Sequence, residues 1–281
     1  MENFYNICNT TIRISAPVFP DAALTHGAFI TTEETPDINI TVTPVDVLPE
    51  IEGRLRSSSD TLSVYESEDT LYRVQPMGTD PGSITVYQKN NPAESETFVI
   101  KKNLKTLLDE RYFWNTVSFA QIMLSKKVLF FHASFIEING QGIIFSAPSG
   151  TGKSTQAALW EKHRQANIIN GDKAGVMLDR DNVYVCGVPF CGTSGICQNR
   201  IFPLKAIVLP EQDKKDSVKE IRGVSAITQI MQNIHLDFSD TENKLGCIDL
   251  LIGILSRVPV IRLSCTPEKT AVDVLGDYLK I

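Results

Sequence analysis

The chain has 281 residues, 27 basic and 33 acidic, for a formal charge of −6. That length accommodates one large domain or two unequal ones, and a hydrophobic fraction of 42% excludes wholesale disorder. The acidic balance offers no basic face to a nucleic acid, and no apolar run approaches the roughly 20 residues of a membrane span.

Met1-Glu2-Asn3-Phe4 has neither the basic nor the apolar region of a signal peptide, so the cytoplasm is the expected compartment. The 6 cysteines are too sparse for a disulfide scaffold. Cys186, Cys191 and Cys197 cluster, but without a C-x-x-C pair or a nearby His-x-x-x-His. Buried thiols are the expectation there, ahead of a structural zinc site.

The first 102 residues are rich in acidic side chains and read as β. Thr11–Ser15, Ile38–Thr43, Thr61–Tyr65, Leu71–Gln75, Ser83–Gln88 and Thr97–Lys101 are short and rich in Ile, Val, Thr and Tyr. Turn-formers separate them, including Gly78-Thr79-Asp80-Pro81-Gly82 and Asn90-Asn91-Pro92. A small antiparallel β-rich N-terminal domain, 1–102, is expected. A second domain, 103–281, follows. It opens with a helix over Asn103–Lys126, where Leu104, Leu107, Leu108, Tyr112, Phe119, Ile122 and Met123 recur at helical spacing.

Val128–Ile138 reads as a strand, Asn139-Gly140 as a hairpin turn, and Ile143–Ser146 as the returning strand. A helix is expected over Ser154–Gln165, then strands at Asn167–Asn170, Val183–Cys186 and Ala206–Leu209. Val224–Asn233 and Glu242–Ser256 read as helices, Val258–Ser264 as a late strand and Pro267–Leu279 as a terminal helix. This is an α/β pattern with a mixed sheet and no internal repeat.

Between the hairpin and its helix stand Ala147-Pro148-Ser149-Gly150-Thr151-Gly152-Lys153-Ser154-Thr155. This approaches G-x-x-x-x-G-K-[ST], with Ala147 in place of the first glycine. Gly150 and Gly152 let successive N–H groups turn toward phosphate oxygens, and the following helix adds its positive end. Ser149, Gly150, Thr151, Gly152, Lys153, Ser154 and Thr155 are therefore the candidate nucleotide-phosphate binders. Lys153 is expected to face solvent when no nucleotide is bound and to reach the β- and γ-phosphates when one is. Ser154 is expected to ligate Mg²⁺. Asp172 ends the strand Ile168-Ile169-Asn170 and is the candidate second metal ligand; a plain turn aspartate in Asn-Gly-Asp is the alternative. His132 lies on the strand that pairs with the one feeding the loop. A packed or surface residue is the commoner fate of a lone strand histidine.

Together these residues resemble the catalytic domain of HPr kinase/phosphorylase, and more closely its smaller HPr-kinase-related, PEP-carboxykinase-like relatives, over roughly 127–281. His132, Ser149-Gly150-Thr151-Gly152-Lys153-Ser154 and Asp172 fall on the family's histidine, loop and aspartate positions. Gly187-Val188-Pro189-Phe190-Cys191-Gly192-Thr193-Ser194-Gly195, Asn199-Arg200, Pro203-Leu204-Lys205-Ala206 and Val258-Pro259-Val260-Ile261-Arg262-Leu263-Ser264 look like the related subgroup. Two departures stand out. The family's paired aspartates become Gly171-Asp172. A Glu-x-Arg-Gly signature is missing from its place, and Glu220-Ile221-Arg222-Gly223 comes too late to serve.

The resemblance implies an ATP- and Mg²⁺-dependent kinase that passes the γ-phosphoryl group to a hydroxyl of a protein, peptide or small molecule, HPr itself not being the expected acceptor. Asp172 or His132 would orient or deprotonate the acceptor, Lys153 would stabilise charge on the phosphates, and Arg200 is the candidate for neutralising the transition state, a surface or structural arginine being the equal alternative. Gly192 and Gly195 would frame a second flexible loop at the site or, equally, be simple turns. The related kinases form homo-oligomers. The alternatives are a non-catalytic nucleotide-binding regulatory or scaffold protein and, more remotely, a PEP carboxykinase-type decarboxylase, for which further metal and carboxylate ligands are lacking.

Overall fold

The structure, a computed structural model, describes residues 1–21, 26–77, 80–190 and 192–281. The chain divides into two compact units. Met1–Lys126 and Leu236–Gly246 form the first; Lys127–His235 and Cys247–Ile281 form the second. The sequence placed the break at 102, whereas the units part between Lys126 and Lys127. Among the described residues no helix is long and apolar enough to cross a membrane.

In the first unit lie β1 (Glu2–Ile7), β2 (Thr10–Ser15), β3 (Ile38–Val45), β4 (Arg54–Ser58), β5 (Ser63–Glu66), β6 (Thr70–Met77), β7 (Asp80–Gln88) and β8 (Asn91–Ile100), with helices α1 (Glu110–Thr116) and α2 (Phe119–Ser125). They make one sheet in the order β1-β2-β3-β8-β7-β6-β5-β4. It is mixed, not antiparallel as expected, because β3 runs parallel to both β2 and β8. The turn expected at 78–82 lies partly outside the described residues. The single helix expected over 103–126 is broken. A 3₁₀ segment covers Lys101–Leu108, Asp109 caps α1 by accepting from Arg111 N, and Ser118 takes a positive φ of 53° between α1 and α2. Trp114 anchors the core edge-on to Tyr5 and Phe113 and tilted against Phe119.

The second unit contains β9 (Val128–Ile138), β10 (Gln141–Ser146), α3 (Lys153–Arg164), β11 (Asn167–Asn170), β12 (Lys173–Asp179), β13 (Asn182–Gly187), β14 (Ile201–Gln212), β15 (Ser217–Ile221), α4 (Gly223–Met231), β16 (Val260–Cys265) and α6 (Lys269–Leu279). Helix α5 (Thr241–Leu255) runs through the division at Gly246. The strand order is β10-β9-β12-β13-β14-β16-β15, and β10 also pairs in parallel with β14, so the pairing path returns on itself. β9 and β10 join through Asn139 and Gly140, both at positive φ, as a tight I′-like hairpin demands. Ile136, Ile138, Ile143, Phe145, Ala206, Val208, Ile261 and Leu263 pack beneath Trp160 of α3 and Val272 and Leu275 of α6. This core fixes α3 against the sheet, and with it the glycine loop that leads into α3.

Candidate functional site

The loop 147–152 leaves β10 at Ser146 and enters α3 at Lys153. Gly150 and Gly152 hold φ of 80° and 103°, a region L side chains avoid, although both have open space around them. Gly152 is the N-cap of α3 and supplies no side-chain cap, so the first-turn N–H groups remain for another acceptor. Ser149, Gly150, Ser154 and Thr155 are exposed; Thr151 is half-buried and its hydroxyl donates to Pro148 O at 2.7 Å. Gln212, at the end of β14, donates to Gly150 O at 3.2 Å and steadies the loop from the side.

Lys153 corrects the sequence reading. It is only 7% exposed, not solvent-facing. Its ammonium folds under the loop and donates to Ala147 O at 2.7 Å and Pro148 O at 3.0 Å. Burial lowers its pKa and Asp172 raises it in opposition. Those carbonyls hold the cation at the loop's base, where an incoming anion finds it already positioned.

His132 shares, by strand alternation, the face of β9 that carries Ile136 and Ile138 against Trp160. Its backbone is held at both ends. His132 N donates to Asn233 O at 2.7 Å and Ser146 Oγ donates to His132 O at 3.2 Å. The segment Asn233–His235 lines β9 where β10 stops: Ile234 bridges Phe131 and His235 N donates to Phe130 O. The His132 imidazole lies 3.5 Å, Nδ1 to Oδ1, from Asp172. Burial and then the Lys153 charge lower its pKa; Asp172 opposes them, and Lys173, its register partner on β12, adds to the lowering. The ring is thus biased to the neutral form. Lys173 reaches over the Phe190 ring at 4.4 Å, and Phe190 in turn neighbours His235, whose pKa burial drives down to about 4.

Asp172 occupies the turn between β11 and β12. Asn170 shapes this turn and was not singled out in the sequence. It is fully buried; its Oδ1 accepts from Asp172 N at 2.9 Å and Lys173 N at 3.0 Å, and its Nδ2 donates to Val188 O at 2.8 Å. The Asn-Gly-Asp spelling carried that signal, since an Asn side chain readily bonds the backbone two residues on. Ser134 Oγ donates to Gly171 O at 3.2 Å from β9. The 192–195 loop closes against the same turn. His132 feels the charges of Lys153, Asp172 and Lys173, and Lys153 that of Asp172.

Arg200 stands apart from that set. Its guanidinium lies 4.8 Å over the Phe202 ring, and its charge is felt by Glu137 near the hairpin turn. Among the cysteines, Cys186 is buried and Cys197 half-buried, while Cys191 lies outside the described residues. Among the described residues no three His, Cys, Asp or Glu side chains gather as a metal cluster.

No protein-family model matches the chain, and no curated protein matches it. Among solved structures, the Hpr(Ser) kinase/phosphatase from Coxiella burnetii aligns with 53% of this chain and 95% of that chain, at 11% identity and a TM-score of 0.31. At that similarity the neighbour informs neither the chemistry nor the site.

Proposed function

We propose that the second unit is an ATP- and Mg²⁺-dependent phosphotransferase that passes a γ-phosphoryl group to a hydroxyl. The observation that carries this reading is the position of Lys153. Its ammonium is buried, held by two loop carbonyls, and coupled electrostatically to a His132–Asp172 pair. A structural lysine needs no such loop, and a buried cation at the foot of an uncapped helix suits a polyanion.

The residues fit a hard divalent cation. Asp172 is partly exposed and Ser154 is exposed at the first turn of α3, so both offer oxygen to an ion that keeps several waters. Asp172 and Ser154 would hold Mg²⁺, which supplies charge neutralisation on the phosphates. The loop N–H groups and Lys153 bind the phosphate oxygens and stabilise charge as the γ-phosphoryl group departs. On binding, Lys153 exchanges the Ala147 and Pro148 carbonyls for phosphate. Asp172 accepts the acceptor's proton, and His132, neutral and 3.5 Å away, orients that carboxylate. Arg200 takes no part in this reading.

The test is transfer of the γ-phosphoryl group, or slow hydrolysis to water, alongside calorimetric binding of Mg-ATP. Asp172→Asn should retain nucleotide binding in the absence of Mg²⁺ and lose transfer. Binding without turnover under all conditions would instead favour a nucleotide-binding regulatory protein, a reading consistent with the single carboxylate at Gly171-Asp172. No binding at all would remove both readings.

A further inference from the structure

The loop Gly192–Gly195 carries hydroxyls beside the site just described. Gly192 and Gly195 both have positive φ, 54° and 65°, and Thr193 and Ser194 between them are exposed. This loop is seated on the turn before β12. A Cβ added at Gly192 would lie 2.7 Å from Asp172 Cγ and 3.0 Å from its Oδ1. A Cβ added at Gly171 would collide with Ser194 Oγ itself. Gly171 N donates to Ile196 O at 3.2 Å, which pins the far end of the loop to the same turn. Glycine at 171 and 192 therefore permits an approach that any side chain would forbid. The outcome is a primary alcohol held against Gly171-Asp172, with His132 Nδ1 3.5 Å from that carboxylate. Ile196 N donates to Ser194 Oγ at 3.2 Å and positions the oxygen.

We propose that Ser194 is itself a phosphoryl acceptor, so that the chain phosphorylates its own 192–195 loop when supplied with a nucleoside triphosphate. This rests on the phosphotransferase reading. In the step, Ser194 Oγ forms a bond to the γ-phosphorus, and the bond from that phosphorus to the β–γ bridging oxygen breaks. The nucleoside diphosphate leaves with that electron pair, and the hydroxyl proton passes to the Asp172 carboxylate. Ser194 is chosen over Thr193 because its oxygen is the one that meets the turn. A phosphorylated Ser194 sets a charge of about −1.5 to −2 beside Asp172. That charge repels the phosphates of an incoming nucleotide, so Mg-ATP binds the modified form more weakly.

The experiment incubates the full chain with Mg-ATP and maps phosphopeptides by tandem mass spectrometry, with calorimetric Mg-ATP binding in parallel. The expected result is one phosphoryl group on Ser194, absent in Ser194→Ala, regained in Ser194→Thr, and lost in Asp172→Asn. Incorporation should be first order with a half-time independent of protein concentration, because donor site and acceptor belong to one chain. ATP binding or hydrolysis with no phosphate on the loop, phosphate on Thr193 alone, or a rate proportional to protein concentration overturns the inference and leaves the phosphotransferase reading standing. Failure to bind ATP removes both.

Discussion

Replacing Lys153 with methionine separates the two jobs this side chain does. Methionine fills the same slot, so no large cavity opens, but the ammonium is lost. In the empty protein the Ala147 carbonyl, which is buried, loses its donor, while the Pro148 carbonyl is partly accessible and takes water instead. One unsatisfied buried acceptor costs about 1–3 kcal/mol. For a unit of this size that lowers the melting temperature by roughly 2–12 °C, at about 2–4 °C per kcal/mol. In the bound state the loss is larger. Two charge-assisted hydrogen bonds to phosphate, each worth about 1.5–3 kcal/mol, sum to roughly 3–6 kcal/mol; less the about 1–3 kcal/mol already lost in the empty protein, this leaves about 2–3 kcal/mol, or roughly 30–150-fold in Kd. Differential scanning calorimetry of the empty protein and calorimetric titration with Mg-ATP read the two effects independently. Wild-type affinity in Lys153→Met refutes the loop as a phosphate site. A drop in affinity with an unchanged melting temperature refutes the buried resting position of the ammonium.

Three further outcomes are expected. His132→Ala should leave Mg-ATP affinity within a few-fold of wild type and slow transfer by about 10²–10⁴-fold, the usual worth of positioned acid–base help; because burial and Lys153 lower the imidazole's pKa, the acidic limb of the wild-type rate profile should fall below pH 6.5 and vanish in the variant. His235 takes its proton at about 4 in the fold against 6.5 when unfolded. The unfolded chain thus binds more protons in that window, so stability is complete above 6.5 and falls by up to about 3 kcal/mol as pH drops toward 4; urea midpoints across that range, compared with His235→Phe, check this, and parallel slopes in the two proteins count against it. Gly192→Ala forces a Cβ to 2.7 Å from Asp172 Cγ at a positive φ, so it should cost about 1–3 kcal/mol and depress transfer while sparing ATP affinity; a wild-type urea midpoint would show that the loop does not rest on Asp172.

Local chemistry in the sequence located most elements of the second unit. Apolar periodicity marked β9, β10, α3, α4, α5, β16 and α6 to within a few residues, and Asn139-Gly140 announced its hairpin, because these signals depend only on neighbours along the chain. β12 and β15 escaped, since Lys173–Asp179 and Ser217–Ile221 carry charged residues and turn into strands only through their partners β9, β13 and β16. The same limit applied to the first sheet. Six of its strands read as β while β1 and β4 did not, and the parallel pairing of β3 with β2 and β8 joins segments apart in sequence, a choice that no local pattern encodes.

At the site, the sequence by itself determined which residue types were available. The two glycines, Lys153 and Ser154 are contiguous, and the backbone conformations they require follow from glycine's missing Cβ. Asp172 was legible as a strand-end carboxylate. Only the tertiary structure decided where these groups rest. It buried Lys153 under the loop, where its ammonium, with no phosphate to bind, donates to the Ala147 and Pro148 carbonyls. It set His132 beside Asp172 through the pairing of β9 with β12, sent Arg200 to Phe202, and brought Ser194 from more than twenty residues away onto Gly171. The meetings of His132 with Asp172 and of Ser194 with Gly171 join separate strands and loops, a closeness in space that spacing along the chain does not record.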